Sequence, residues 1–117
     1  MGKRKGKAPR VRISIGSATA LGPGKVGLLE AIAAHGSISA AAGEMGMSYR
    51  RAWMLVDTMN SCFAGDLVHT NTGGKGGGWA EVTALGLDVI ARYHVMEAKA
   101  AASIVEETEA FAALLRD

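Results

Sequence analysis

The sequence is short of cysteine and of aromatic residues. Its 117 residues include one cysteine, Cys62. One cysteine cannot build an internal disulfide framework or a cysteine-based zinc site, and such usage suits a reducing compartment. His35, His69 and His94 are widely spaced and lack a carboxylate or cysteine cluster, so neither a metal site nor a cofactor is expected. Aromatics make up 5% of the chain while hydrophobic residues make up 49%, most of them Ala, Val, Leu, Ile and Met. That balance points to an aliphatic, helical core. No stretch offers the roughly 20 consecutive apolar residues that a membrane span needs. No apolar segment follows the basic N-terminus as a secretion signal would require, so a cytoplasmic protein is expected. No Ser/His/Asp set or pair of carboxylates suggests catalysis, and an enzyme is not expected.

What is present is unevenly charged. Residues 1–80 hold ten Lys/Arg against four Asp/Glu, a balance of +6, and residues 81–117 hold three against seven, a balance of −4. The first part suits a polyanion and the tail does not. Lys3, Arg4, Lys5, Lys7, Arg10 and Arg12 form a basic leader, over residues 1–10 and just beyond. On these residues alone it reads as a solvated, disordered, solubilising arm rather than one that follows phosphates.

The pattern along the chain predicts a mainly α fold with a small β-sheet. Val11, Ile13 and Ile15 alternate with Arg12 and Ser14 as a strand would. Pro23 suits the first turn of a helix, with Val26, Leu29 and Ala33 on one face and Leu28 and Ile32 adjoining it. Gly36 suits the end of that helix. Ser37 or Ser39 can cap a short second helix over about Ser39 to Met45, and Ser48 can cap a third whose apolar face is Ala52, Leu55, Val56 and Met59. Leu67 to Asn71 and Trp79 to Thr83 read as the strands of a hairpin joined through Thr72 to Gly78, to which the strand at Val11 to Ile15 could add a third member. From Ala84 to about Leu115 there is no proline, and Gly86 is the single glycine. This predicts one helix of roughly 30 residues, about 45 Å long, capped by Thr83. Val89, Tyr93, Met96, Ala100, Ile104, Thr108, Phe111 and Leu115 make a seam along it. The front domain is too small to cover that seam, so a second copy of the chain is the expected partner, in preference to a helix folded back on itself.

Two short helices separated by Gly46 suggest a helix-turn-helix. Ile38, Ala41, Ala42 and Met45 would line the first helix inside, with Met47, Ala52 and Leu55 inward after the turn. A preceding helix and a following hairpin complete the order of a winged helix-turn-helix, over residues 11–83, with residues 84–117 as the long dimerisation helix. The third helix would then present Ser48, Tyr49, Arg50 and Arg51 at its N-terminal end. Arginine can donate two hydrogen bonds to a guanine edge, and hydroxyls and free N–H groups suit phosphates. For Tyr49, packing and contact weigh equally; Trp53 and Met54 read as packing. The wing tip, Gly74-Lys75-Gly76 at its centre, lets backbone approach a phosphate, while the absence of Ser or Thr after Lys75 argues against a nucleotide P-loop. The candidate DNA-contacting set is Ser37, Ser48, Tyr49, Arg50, Arg51, Gly74, Lys75 and Gly76, and the expected partner is double-stranded DNA.

These residues resemble a known family. Gly22-Pro23-Gly24-Lys25, Leu28 to Ile32, Gly36-Ser37-Ile38-Ser39, Met47 to Trp53, Met59-Asn60 and Thr72 to Gly78 followed by Thr83 and Gly86 are similar to the N-terminal DNA-binding domain of ModE-type molybdate-responsive transcription regulators. The likeness covers roughly Val11 to Val95. The front half is similar, more distantly, to LysR-type regulator domains. The resemblance implies a winged helix-turn-helix homodimer joined through its long C-terminal helix, binding an operator with the third helix and the wing. Full-length members carry a further C-terminal domain that binds molybdate. This chain stops at Asp117, so direct molybdate binding by it is not expected. The functional expectation is a sequence-specific, DNA-binding transcription regulator of this molybdate-responsive type, without the molybdate-binding domain. The alternatives are a non-specific architectural DNA-binding protein and an oxyanion-binding module.

Overall fold

The structure, a computed structural model, describes residues 9–15, 21–71 and 78–116. Residues 1–8 of the leader, residues 16–20 and the wing tip with Gly74, Lys75 and Gly76 lie outside the described residues. The elements in order are α1 (Pro23–His35), α2 (Ile38–Met45), α3 (Tyr49–Cys62), β1 (Val68–Asn71), β2 (Trp79–Val82), α4 (Ala84–Ser103) and α5 (Val105–Ala112). The fold is mainly α with a small antiparallel sheet, as the sequence pattern predicts.

Local chemistry sets most boundaries. Pro23 opens α1, and Gly36 closes it at φ 77°, donating its N–H to the Ile32 carbonyl. Only glycine enters that left-handed region at little cost. Gly46 closes α2 in the same way at φ 70°. Ser37 caps α2, accepting from the Ala40 N–H at 3.0 Å, so the helix begins at Ile38, one residue before the expected start. Ser48 caps α3 by accepting from the Arg51 N–H at 3.1 Å. Each such cap contributes about 1 kcal/mol.

α1 is the centre of the core. Val26, Leu28, Leu29, Ala31 and Ile32 are all buried, a spread wider than one stripe, because α2, β2 and α4 pack around it. Ala33, expected on the inner face, is exposed instead, and Ala31 takes the inward place. Ile38, Ala41 and Ala42 of α2 and Ala52, Val56 and Met59 of α3 complete this core with Leu67, Val68, Ala80, Val82 and Tyr93. Met45, Met47 and Leu55 are partly buried against it.

The hairpin pairs Val68 with Val82 and Asn71 with Trp79. Val68, Ala80 and Val82 face the core. The hairpin is tied to the rest by backbone and side-chain bonds. The Ala80 N–H donates to the Gly36 carbonyl at 2.8 Å, fixing β2 against the α1–α2 turn. Asn60 of α3 accepts from the N–H groups of Leu67 (2.8 Å) and Val68 (3.1 Å) and donates to the Val68 carbonyl (3.0 Å).

Two expectations are corrected. The segment Val11 to Ile15 does not join the hairpin. Ile13 forms an isolated bridge with Leu21, with both hydrogen bonds at 2.7 Å. The Val11 carbonyl accepts from the Tyr93 hydroxyl, and Arg10 lies 3.7 Å from Glu97. Alternation dictated an extended backbone, but these bonds hold it against α4 rather than β1. The long helix is also not continuous. It breaks at Ile104 (φ −125°, ψ 28°) into α4 and α5. No proline or glycine stands there. Ser103 turns its hydroxyl to the Ala100 carbonyl, β-branched Ile104 and Val105 follow, and Glu106 and Glu107 suit a fresh helix start. The break does not cover the seam: α5 has no buried residue.

Candidate nucleic-acid interface

The α2–α3 pair is held from within and leaves one end bare. Ala41, Ala42 and Ala52 are essentially inaccessible; their small side chains let the helices cross closely. Gly46 lets the chain turn between them, and the Met47 N–H donates to the Ala42 carbonyl at 3.0 Å. With Ala52, Val56 and Met59 pointing inward, the opposite face and the first turn of α3 point to solvent.

Ser48, Tyr49, Arg50 and Arg51 are all exposed there. Neither arginine makes an ion pair among the described residues. Both guanidinium groups keep their planar sets of donors for a ligand. Beside them lie the free N–H groups of the helix start, which favour an anion.

Tyr49 is both packed and accessible. It is half exposed, and its hydroxyl accepts from the Trp53 indole N–H at 2.7 Å. The hydroxyl proton remains available to donate. Trp53 packs partly against the core, as read, whereas Met54 is exposed rather than packed. Ser37 and Tyr49 meet in a shallow cleft that Ser39, Trp53, Asn71 and Trp79 also line. Strand residues Asn71 and Trp79 were not singled out in the sequence. Their only signal was position at the base of the glycine-rich connection. Ser48, Arg50 and Arg51 stand on the α3 turn next to this cleft. Gly74, Lys75 and Gly76 cannot be placed relative to it, since they lie outside the described residues.

The described residues hold no group of three or more His, Cys, Asp or Glu that could bind a metal ion, and no helix long and apolar enough to cross a membrane. The titratable groups with shifted pKa values lie elsewhere, where α1, α4 and the N-terminal segment meet. The His94 pKa is raised, chiefly by its hydrogen bond to Glu30 at 2.7 Å, with Glu97 adding to it. The Tyr93 pKa is raised by burial first and by Glu97 next. His35 of α1 pairs with Glu44 of α2. These contacts brace the helices and stand apart from the arginines.

Helix, glycine turn, capped helix with two arginines that make no ion pair among the described residues, and a flanking hairpin define the class: a helical pair with one exposed helix start. No family model matches the chain. Individual relatives do. The chain is 46% identical over 77 residues to the molybdenum-pterin-binding protein MopA of Rhodobacter capsulatus, a match covering 66% of this chain and 29% of that protein. It is 38% identical over 88 residues to the molybdenum transport protein ModE of Azotobacter vinelandii, covering 75% and 33%. It is 42% identical over 74 residues to the DNA-binding transcriptional dual regulator ModE of Escherichia coli K12, covering 63% and 28%. Over about two-thirds of its length the chain is thus a homologue of the ModE and Mop proteins. It spans a third or less of the length of these relatives.

Proposed function

We propose that the chain is a sequence-specific, DNA-binding transcription regulator of the molybdate-responsive type. In this reading residues 11–83 form a winged helix-turn-helix with α3 as its recognition helix, residues 1–10 are a basic leader, and residues 84–117 pair two copies. The observation that carries it is the exposed start of α3, where Arg50 and Arg51 make no ion pair among the described residues and stand beside a serine cap. The similarity to the DNA-binding transcriptional dual regulator of Escherichia coli supports the same reading. Arg50 and Arg51 reach base edges. Ser37, Ser48 and Tyr49 take phosphate oxygens, and Lys75 with Gly74 and Gly76 approaches the backbone from the wing. Two recognition helices related by a two-fold axis read half-sites about 34 Å apart, or a multiple of that.

The test is a random-site selection with the full chain, followed by binding titrations on the selected duplex. Arg50→Ala and Arg51→Ala are expected to cost about 1–3 kcal/mol each where the arginine reads a base, roughly 5- to 150-fold in affinity, and to relax specificity there. Lys75→Ala weakens all sequences alike. Binding falls steeply with salt because phosphate contacts release condensed counterions. Wild-type affinity in both arginine variants overturns the site. Equal affinity for every duplex favours an architectural protein instead.

A further inference from the structure

We propose that Met54 is a specificity-determining residue of α3, and that it reads the C5-methyl group of a thymine in the major groove. The proposal rests on the DNA-binding reading above and adds a base to it: a thymine about two base pairs from the guanine that Arg50 contacts.

Met54 is 61% exposed, more than Tyr49 of the same helix at 50%. Helix geometry accounts for its direction. At about 100° per residue, the direction opposite the mean of the buried Ala52, Val56 and Met59 lies within about 15° of Met54, about 30° of Arg50 and about 75° of Arg51. Met54 therefore stands at the centre of the outward face, with Arg50 one turn before it. Its neighbours on that face are Arg50, Asp57, Thr58 and Ser61, all exposed and all polar. Trp53 and Leu55, on either side of it in the chain, pack partly against the core, and Met54 turns away from it.

The chemistry of the side chain narrows what it can meet. A thioether has no hydrogen to donate and its sulfur is a weak acceptor, so it offers nothing to a phosphate. A single apolar side chain ringed by charges and hydroxyls also makes a poor patch for a partner protein. The floor of the major groove does fit it. There an apolar group lies among hydrogen-bond donors and acceptors, and thymine is the base that presents one, its C5-methyl. Arg50 and Met54 are four residues apart, about 6 Å along the helix, and base pairs stack about 3.4 Å apart, which sets the separation of about two base pairs. Asp57 comes next along the face and carries the wrong sign for phosphates. It limits how far along α3 the groove can be followed, and leaves Met54 as the last apolar contact.

The test uses the full chain and the duplex that random-site selection returns. Arg50→Ala marks the guanine, as the position whose preference it relaxes. Replacing the nearby thymine with deoxyuridine removes its methyl group and nothing else. That replacement is expected to weaken binding by the parent about 4-fold, the effect of burying one methyl-sized group, and to leave binding by Met54→Ala unchanged. Met54→Gln keeps the length of the side chain but ends in an amide, and is expected to move the selected base at that position from thymine to adenine. Both variants should melt with the parent, because the side chain they alter is exposed. Parent binding that is indifferent to deoxyuridine at every thymine of the site overturns this inference and leaves the DNA-binding reading intact. So does an equal loss in Met54→Ala, or a thymine preference that survives in both variants. A selection that returns no preferred sequence overturns the sequence-specific reading and this inference with it.

Discussion

Gly86 lies where α4 packs on the residues around the hairpin, and one added methyl group tests that joint. Gly86 is the third residue of α4 and is buried. Its N–H donates to the Thr83 hydroxyl at 3.0 Å, the Thr83 hydroxyl donates to the Asp66 carbonyl at 2.7 Å, and the Thr83 N–H donates to the Leu67 carbonyl at 2.9 Å. A Cβ at Gly86 would fall inside contact distance of the Leu67 carbonyl oxygen, 3.2 Å from its carbon and 2.6 Å from Val82 Cγ1. The Leu67 carbonyl is backbone, held by Thr83 and flanked by the Asn60 bonds, so it cannot rotate aside. Overpacking of this kind costs about 1–3 kcal/mol, and a backbone obstacle puts it at the upper end. Against it, alanine gains up to about 1 kcal/mol of helix propensity. The net expectation for Gly86→Ala is about 2 kcal/mol of destabilisation, or about 8 °C in Tm for a domain of this size. Gly43 of α2 is the control. Nothing lies within 4 Å of its Cβ position and its φ is not positive, so Gly43→Ala is expected to stabilise by about 0.5–1 kcal/mol. Thermal and urea unfolding at matched protein concentration read both, since the proposed pairing would shift apparent stability by mass action. A Gly86→Ala protein as stable as the parent would refute the close packing of α4 on the hairpin.

Further outcomes follow from contacts away from the arginines. Asn60→Ala leaves the Leu67 and Val68 N–H groups without their partner and is expected to cost about 2 kcal/mol, read as a lower urea midpoint at unchanged m-value; Asn60→Asp keeps the acceptor and should recover part of the loss. His94 is more basic in the folded state because Glu30 holds its proton. Its contribution is therefore whole below the unfolded pKa of about 6.5 and fades as pH rises through the higher folded value. Stability of the parent should fall with rising pH in that window relative to His94→Gln, by less than about 1 kcal/mol because the pair is half exposed. Equal pH profiles for the two proteins would remove the Glu30–His94 tie.

The sequence was most legible where one residue decides a local geometry. Gly36, Gly46, Pro23, Ser48 and Thr83 each mark a helix end, and each does so in the structure. The hairpin was legible from alternation on both sides of a glycine run, and its register places Val68 and Val82 opposite each other. The partner of Val11 to Ile15 was not legible. An extended segment can pair with any open edge, and the deciding hydroxyl belongs to Tyr93, 82 positions away along the chain. The break at Ile104 was hidden for another reason: no residue there forbids a helix, and several weak preferences combine. At the site, the exposed arginines were legible from the inward alanines that fix the opposite face. The cleft shared by Ser37, Tyr49, Asn71 and Trp79 was not, since it is formed by elements far apart in sequence.

The proposed contact residues stand apart from the residues that hold the fold. Arg50 and Arg51 make no ion pair among the described residues and bury no side chain. Their direction comes from residues that touch no ligand: Ala52, Val56 and Met59 beneath α3, Gly46 before it, and the Asn60 bonds at its far end. Removing either guanidinium should therefore change stability by no more than about 0.5 kcal/mol while DNA affinity falls. Gly86→Ala should do the reverse below its melting temperature, lowering Tm while affinity for the selected duplex is kept. If the arginine variants lost stability in step with affinity, these side chains would be holding the fold. The start of α3 would then be a structural corner, with its arginines retained for packing instead of for contact with a base.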